Sequence, residues 1–157
     1  MIKKIINFIL SLFGIKNNSD EITEKTNTPT EYEKKPLMTI YERKMYNIIK
    51  KLENEYTIIP QLNLAAIINK KNNNKYYSEL FRNIDFAIFD KELENILLLI
   101  EINDKTHNEY KRKDRDLKIK KICNDTGIKL ITFYTNYPNE EEYVINRILK
   151  EIKNNKQ

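Results

Sequence analysis

The sequence has one cysteine, one histidine and no tryptophan among its 157 residues. The lone Cys123 excludes an internal disulfide framework and any cysteine-based zinc site. It permits a reducing compartment and leaves no disulfide-linked partner to expect. A long hydrophobic run is also missing. The apolar stretch at residues 2–15 would make a helix of about 21 Å at about 1.5 Å per residue, short of a hydrocarbon core of about 30 Å.

What is there describes a globular chain: 40% of residues are hydrophobic and 32% charged, too apolar for a disordered segment and too varied for a fibre. The length suits one domain with a real core. The net charge of +5 invites a polyanionic partner. However, 23 Lys to 5 Arg, with 25 Ile and 21 Asn, is the bias an AT-rich coding sequence produces unaided. The charge therefore informs only where it is unevenly placed. Residues 1–16 carry three lysines and no acid, and residues 105–121 carry eight Lys or Arg against three acids.

Residues 1–15 place Lys3, Lys4, Asn7, Ser11 and Gly14 along one side of a helix and Ile2, Ile5, Ile6, Ile9, Leu12 and Phe13 on the other. That asymmetry favours a helix lying at a membrane surface, its lysines on anionic head groups. Docking on protein and a cleaved signal are the alternatives, the latter disfavoured because no small-x-small cleavage site follows. The expected location is the cytoplasm, tethered to the inner membrane face if this segment anchors. Residues 16–36 are polar, aperiodic and contain Pro29 and Pro36, which reads as a flexible linker. The folded domain is expected over 37–157.

Thr39 and Glu42 form a capping-box pattern. Tyr41, Met45, Ile48, Ile49 and Leu52 follow at helical spacing, predicting a helix over 40–54. Residues 56–62 read as a strand, with Pro60 marking an edge or a bulge. Residues 83–90 and 96–103 read as an antiparallel hairpin, the second run apolar enough for a central strand. Residues 109–125 form a basic helix closed by Gly127. A strand at 129–135 then returns parallel to its predecessor. Last comes a helix starting near Pro138, striped by Tyr143, Val144, Ile148, Leu149 and Ile152. The order α-β-β-β-α-β-α predicts an α/β fold: a mixed central sheet flanked by helices on both faces.

The acids carry the chemistry. Asp85 interrupts the apolar run NIDFAIF, and Glu101 interrupts ILLLIEIN. A carboxylate in a buried strand is costly unless paired or bound to a cation. Two on adjacent strands can converge on one ion, and hard oxygen ligands suit Mg²⁺ or Mn²⁺. Asn103 shares a strand face with Glu101, and His107 follows at the start of the basic helix. The plain alternative has both acids at solvent edges or paired with lysines, Glu42 as a cap only, and the basic helix as a solvated face. Tyr76 and Tyr77 beside Arg82 could stack on bases or simply pack.

At Asp85, Glu101-Ile102-Asn103-Asp104, His107, Arg115-Asp116 and Gly127-Ile128-Lys129-Leu130-Ile131 the sequence resembles the bacterial family termed domain of unknown function 2726, placed within the PD-(D/E)XK, or restriction-endonuclease-like, superfamily. The resemblance covers roughly residues 37–149. It implies the αβββαβ core of that superfamily, with Asp85 and Glu101 as metal-binding acids and the Ile102 carbonyl as a further ligand. The superfamily's usual lysine two residues after the glutamate is replaced by Asn103. The local pattern is closer to the subgroup similar to very-short-patch repair endonucleases, where a histidine after the strand serves. That implies His107 activates or positions water, with Lys105 as a substitute for the missing lysine, Glu42 as an accessory acid and Arg115-Asp116 as a family pair. The expected function is Mg²⁺- or Mn²⁺-dependent phosphodiester hydrolysis, with nucleic acid, DNA first, as partner. Arg82, Lys111, Arg112, Arg115 and Lys118 would grip phosphates without reading sequence. Two alternatives stay open: a nuclease-derived binding module that has lost catalysis, and a small protein whose basic helix serves anionic lipid.

Overall fold

Thr39 starts the first helix as its sequence pattern requires. Its hydroxyl accepts the Glu42 N–H at 3.3 Å, while Glu42 Oε2 accepts the Thr39 N–H at 2.6 Å. This reciprocal cap opens α1, Ile40–Ile49, which tightens into a 3₁₀ turn over Lys50–Leu52. The computed structural model describes residues 31–71, 78–103 and 109–154, with the side chains of the last stretch described from Asp114 onward. Residues 1–15, Tyr76, Tyr77, Lys105 and His107 lie outside the described residues. Among those described, no helix is long and apolar enough to cross a membrane.

The strands are β1 (Thr57–Asn63), β2 (Asn83–Phe89), β3 (Ile96–Asn103) and β4 (Leu130–Tyr134). They form one sheet in that order, antiparallel between β1 and β2 and between β2 and β3, then parallel between β3 and β4. The parallel return needs a crossover, supplied by α2, Glu109–Thr126. Gly127, at φ +71°, ends it in a Schellman motif: its N–H donates to the Asn124 carbonyl, and the Ile128 N–H donates to that of Cys123. The last helix is α3, Glu141–Asn154. The predicted element order, the hairpin and the parallel return all hold.

Two apolar layers fix the sheet between helices. On one face Met45, Ile48 and Ile49 of α1 and Val144, Ile148 and Ile152 of α3 pack on Phe86, Ile88, Leu98, Ile100, Ile131 and Phe133. On the other, Ile119 and Cys123 of α2 join Leu64, Ile84, Leu80, Ala87 and Leu99. Pro60 sits in edge strand β1, and the next residue, Gln61, adopts φ +53° opposite Asp85, where the ladder skips a pair. Two residues assigned to apolar stripes depart from them. Tyr41 and Tyr143 are more than half exposed. Tyr143 lies edge-on to Phe133 at the rim of the core, and Tyr41 faces the cavities described below.

Because the cap is local and exposed, Thr39→Ala should cost about 1 kcal/mol. A urea titration should show a lower midpoint at unchanged slope.

Candidate functional site

The site forms where β2 and β3 part. Their pairing runs from Phe89 to Phe86 on β2 and ends at Phe86 opposite Ile100. One residue further on, the Asp85 carboxylate takes the place of a ladder carbonyl, its Oδ2 accepting the Ile102 N–H at 2.6 Å. The bond both holds the side chain and satisfies a β3 donor that the diverging strands would otherwise orphan. Glu101 is held from the other side, since β3 continues to pair with β4 through Glu101–Thr132 and Asn103–Tyr134. The two acids therefore rest on rigid sheet.

Around them lies a cleft of about 740 Å³. It is lined by Thr39, Tyr41, Glu42, Gln61, Phe81, Arg82, Asn83, Asp85, Glu101, Ile102, Asn103, Arg115, Asp116 and Thr135. Glu42, Asp85, Glu101, Asn103, Arg82 and Arg115, six of the residues predicted for the site, thus share one cavity. Glu42 serves twice, as helix cap and as a wall of the cleft. Lys118 is not among the lining residues; it is half exposed and ion-paired with Asp114 one turn away. Lys111 and Arg112 lie on α2, their side chains outside the described residues, and Lys105 and His107 lie outside altogether.

Among the described residues, Arg115 is the cation that approaches these carboxyls. Glu101 is the one polar or charged side chain among the buried described residues, only 6% exposed. Among the described residues its Oε1 has no hydrogen-bond partner. The Arg115 guanidinium approaches Oε2 at 3.7 Å, too far for a strong pair. Burial, and then the charge of Asp85, push its pKa up to about 8, with Arg115 opposing. Asp85 is pushed up to about 6, first by burial. The Ile102 N–H opposes that shift, and Glu42 adds to it by repelling the charge and hydrogen-bonding to the protonated form. Cys123 is raised to about 11 by burial and by Glu101. A buried carboxylate oxygen without a partner among the described residues, beside a second, half-buried acid, fits a divalent cation. Among the described residues, no ready cage of three or more His, Cys, Asp or Glu side chains surrounds it. The ion would rely on two carboxylates, a backbone carbonyl and water, which suits Mg²⁺.

With the geometry in view, comparison with known proteins yields one finding. The family model described as Protein of unknown function (DUF2726) matches residues 34–152. The chain belongs to that family. No curated protein and no solved structure matches it.

The match takes in every strand of the DUF2726 domain and all the cleft residues named above. Gln61, Phe81 and Tyr41 also line this DUF2726 cleft, though none was expected there from sequence. Gln61 follows Pro60, whose bulge signal could have pointed to it. Phe81 is 68% exposed on the rim and gave no signal, because it lies in an irregular turn without a period. Tyr41 belonged to the predicted apolar stripe, and only the fold turns it outward.

Proposed function

We propose that this DUF2726 domain is a divalent-cation-dependent nuclease hydrolysing phosphodiester bonds of DNA on a restriction-endonuclease-like αβββαβ core. The observation that carries the reading is the buried Glu101 Oε1, without a hydrogen-bond partner among the described residues, beside an Asp85 locked to the Ile102 N–H. Asp85, Glu101 and the Ile102 carbonyl would hold Mg²⁺ or Mn²⁺. When bound, such an ion polarises a phosphoryl oxygen and makes water acidic enough to attack near neutral pH.

The chain's own residues do the rest. Arg82 and Arg115 line the cleft and bring cations to phosphate oxygens, so binding weakens as salt rises. Glu42, which shares the cleft with Asp85, accepts or returns a proton there. His107, and Lys105 in place of the absent lysine, supply the base that takes the proton of the attacking water.

Asn103 on the cleft wall favours a second reading, since an amide cannot take the catalytic part of lysine: a binding module without hydrolysis. One experiment separates the two. The full chain should nick plasmid DNA with Mg²⁺ or Mn²⁺, and Asp85→Ala or Glu101→Ala should lower the rate about 10²- to 10³-fold, as removal of a key electrostatic group does elsewhere. His107→Ala should lower it too, about 10²- to 10⁴-fold if it is the base. DNA retained on a filter at low salt without nicking under either ion would leave only the binding module.

A further inference from the structure

A second cavity, of about 310 Å³, adjoins the acidic cleft, and Tyr41, Ile102 and Thr135 line both. Its lining includes the apolar Met45, Ile48 and Ile102, the tyrosines Tyr41 and Tyr137, and the polar Lys44 and Asn139. Both tyrosines are more than half exposed.

The loop carrying Tyr137 is set in advance. The Asn139 amide donates to the carbonyls of Tyr134 and Tyr137 at 2.9 and 3.1 Å. Asn139 itself takes φ +49°, a conformation asparagine tolerates. Tyr134 braces the Tyr137 ring edge-on at 6.3 Å, and the Thr135 N–H bonds to the Asn103 carbonyl, tying the loop to the strand that carries Glu101. A lining that combines apolar side chains, two tyrosines and polar groups suits a flat heteroaromatic ring.

From this arrangement we infer that the cavity takes an unpaired nucleobase next to the phosphate held at the acidic cleft, making the substrate single-stranded or locally unwound nucleic acid. This rests on the nuclease reading and names its substrate. A base inside a duplex is stacked and paired, so it reaches a side pocket only when splayed out, and a tyrosine face then replaces the lost stacking for any base. The ends of a rigid duplex, or phosphates alone, would not need the pocket.

The test uses the full chain in EDTA and two fluorescent strands of about 20 nucleotides, oligothymidylate and an abasic strand of equal length and charge. Phosphate contacts treat the two alike. A base pocket should make oligothymidylate bind about 10-fold more tightly. Tyr41→Ala and Tyr137→Ala should each bring it down to the abasic level, whereas Tyr41→Phe and Tyr137→Phe keep the preference. Because these side chains are exposed, unchanged melting temperatures should accompany the loss. Equal binding of both strands by a protein that nicks DNA with Mg²⁺ would overturn the pocket and leave the nuclease standing. A thymidylate preference indifferent to both alanine variants would overturn it as well. Failure to bind either strand together with failure to cleave would sink the nuclease reading, and the pocket with it.

Discussion

Replacing Glu101 with glutamine is expected to raise the thermal midpoint of the metal-free protein at pH 8.5 and to change it little near pH 4. Glu101 has an ordinary value of 4.5 and is pushed up to about 8 in the fold. The folded state therefore holds its proton more tightly than the open chain does. Such a group favours folding fully below about pH 4.5, and that contribution is lost as pH rises toward 8. Asp85, raised from 3.8 to about 6, adds the same trend at lower pH. Since one pKa unit corresponds to about 1.4 kcal/mol, the folded state should give up a few kcal/mol by pH 8.5. Glutamine fills the same space without the charge. The gain should be about 5–10 °C for a domain of this size. Adding Mg²⁺ or Mn²⁺ should restore the wild type at high pH, because a ligand of the fold alone stabilises by about 2.7 kcal/mol at one hundred times its Kd. The variant should gain far less. Differential scanning calorimetry across pH 4 to 8.5 checks this, and a wild type whose midpoint follows that of the variant at every pH would remove the strained carboxylate from the account.

That carboxylate was legible in the sequence because a strand of apolar residues advertises any charge it contains. Asp85 and Glu101 stood out for this reason, and β3 was bounded correctly at 96–103. The hairpin turn was legible too, although β2 stops one residue early. Asp90 leaves the strand because its carboxylate accepts the N–H groups of Glu94 and Asn95. Tertiary placement was harder to see. Helical spacing put Tyr41 in the core stripe, but α1 presents Met45, Ile48 and Ile49 to the sheet and leaves Tyr41 at the cleft. Leu117 of α2 is likewise two-thirds exposed while Ile119 and Cys123 are buried.

The charge run on residues 105–121 shows a second limit of linear reading. Counted along the chain it looks like a block of free cations. In the fold, Lys118 pairs with Asp114 and Lys121 with Asp125, each one turn apart, while Arg115 turns toward Glu101. Such exposed helical pairs contribute only a few tenths of a kcal/mol, yet they reduce the positive field a phosphate would meet. What sequence spacing cannot give is the meeting of α1 with the turn after β4, which makes the second cavity. Those segments lie about ninety residues apart in the chain, as do Lys51 and Glu141, whose ion pair joins the 3₁₀ turn after α1 to the start of α3.

The largest structural loss is expected from Phe86→Ala, at about 3–5 kcal/mol. Phe86 is fully buried, faces Pro60 on β1 and Ile100 on β3, and stacks on Tyr46 of α1 with ring centroids 6.1 Å apart and an interplanar angle of 15°. Truncation deletes the ring and leaves a cavity in a layer whose other members, Phe133 among them, are held on several separate helices and strands, so collapse can be only partial. It also removes the contact between β2 and α1 one residue from Asp85, at the last ladder pair before the strands part. Total stabilities of small domains are about 5–15 kcal/mol, so this single change should consume a large part of the whole and a guanidinium titration should show it as a lowered midpoint. Phe86→Leu keeps most of the buried volume and should cost clearly less. If the alanine variant lost less than about 1 kcal/mol, below the range for buried rings, the packing of α1 on this face of the sheet would have to be abandoned. If stability falls as expected, the leucine variant isolates the site: with the core largely kept, its divalent-ion-dependent shift in melting temperature should match the wild type, because Asp85 is positioned by the Ile102 N–H and not by the ring.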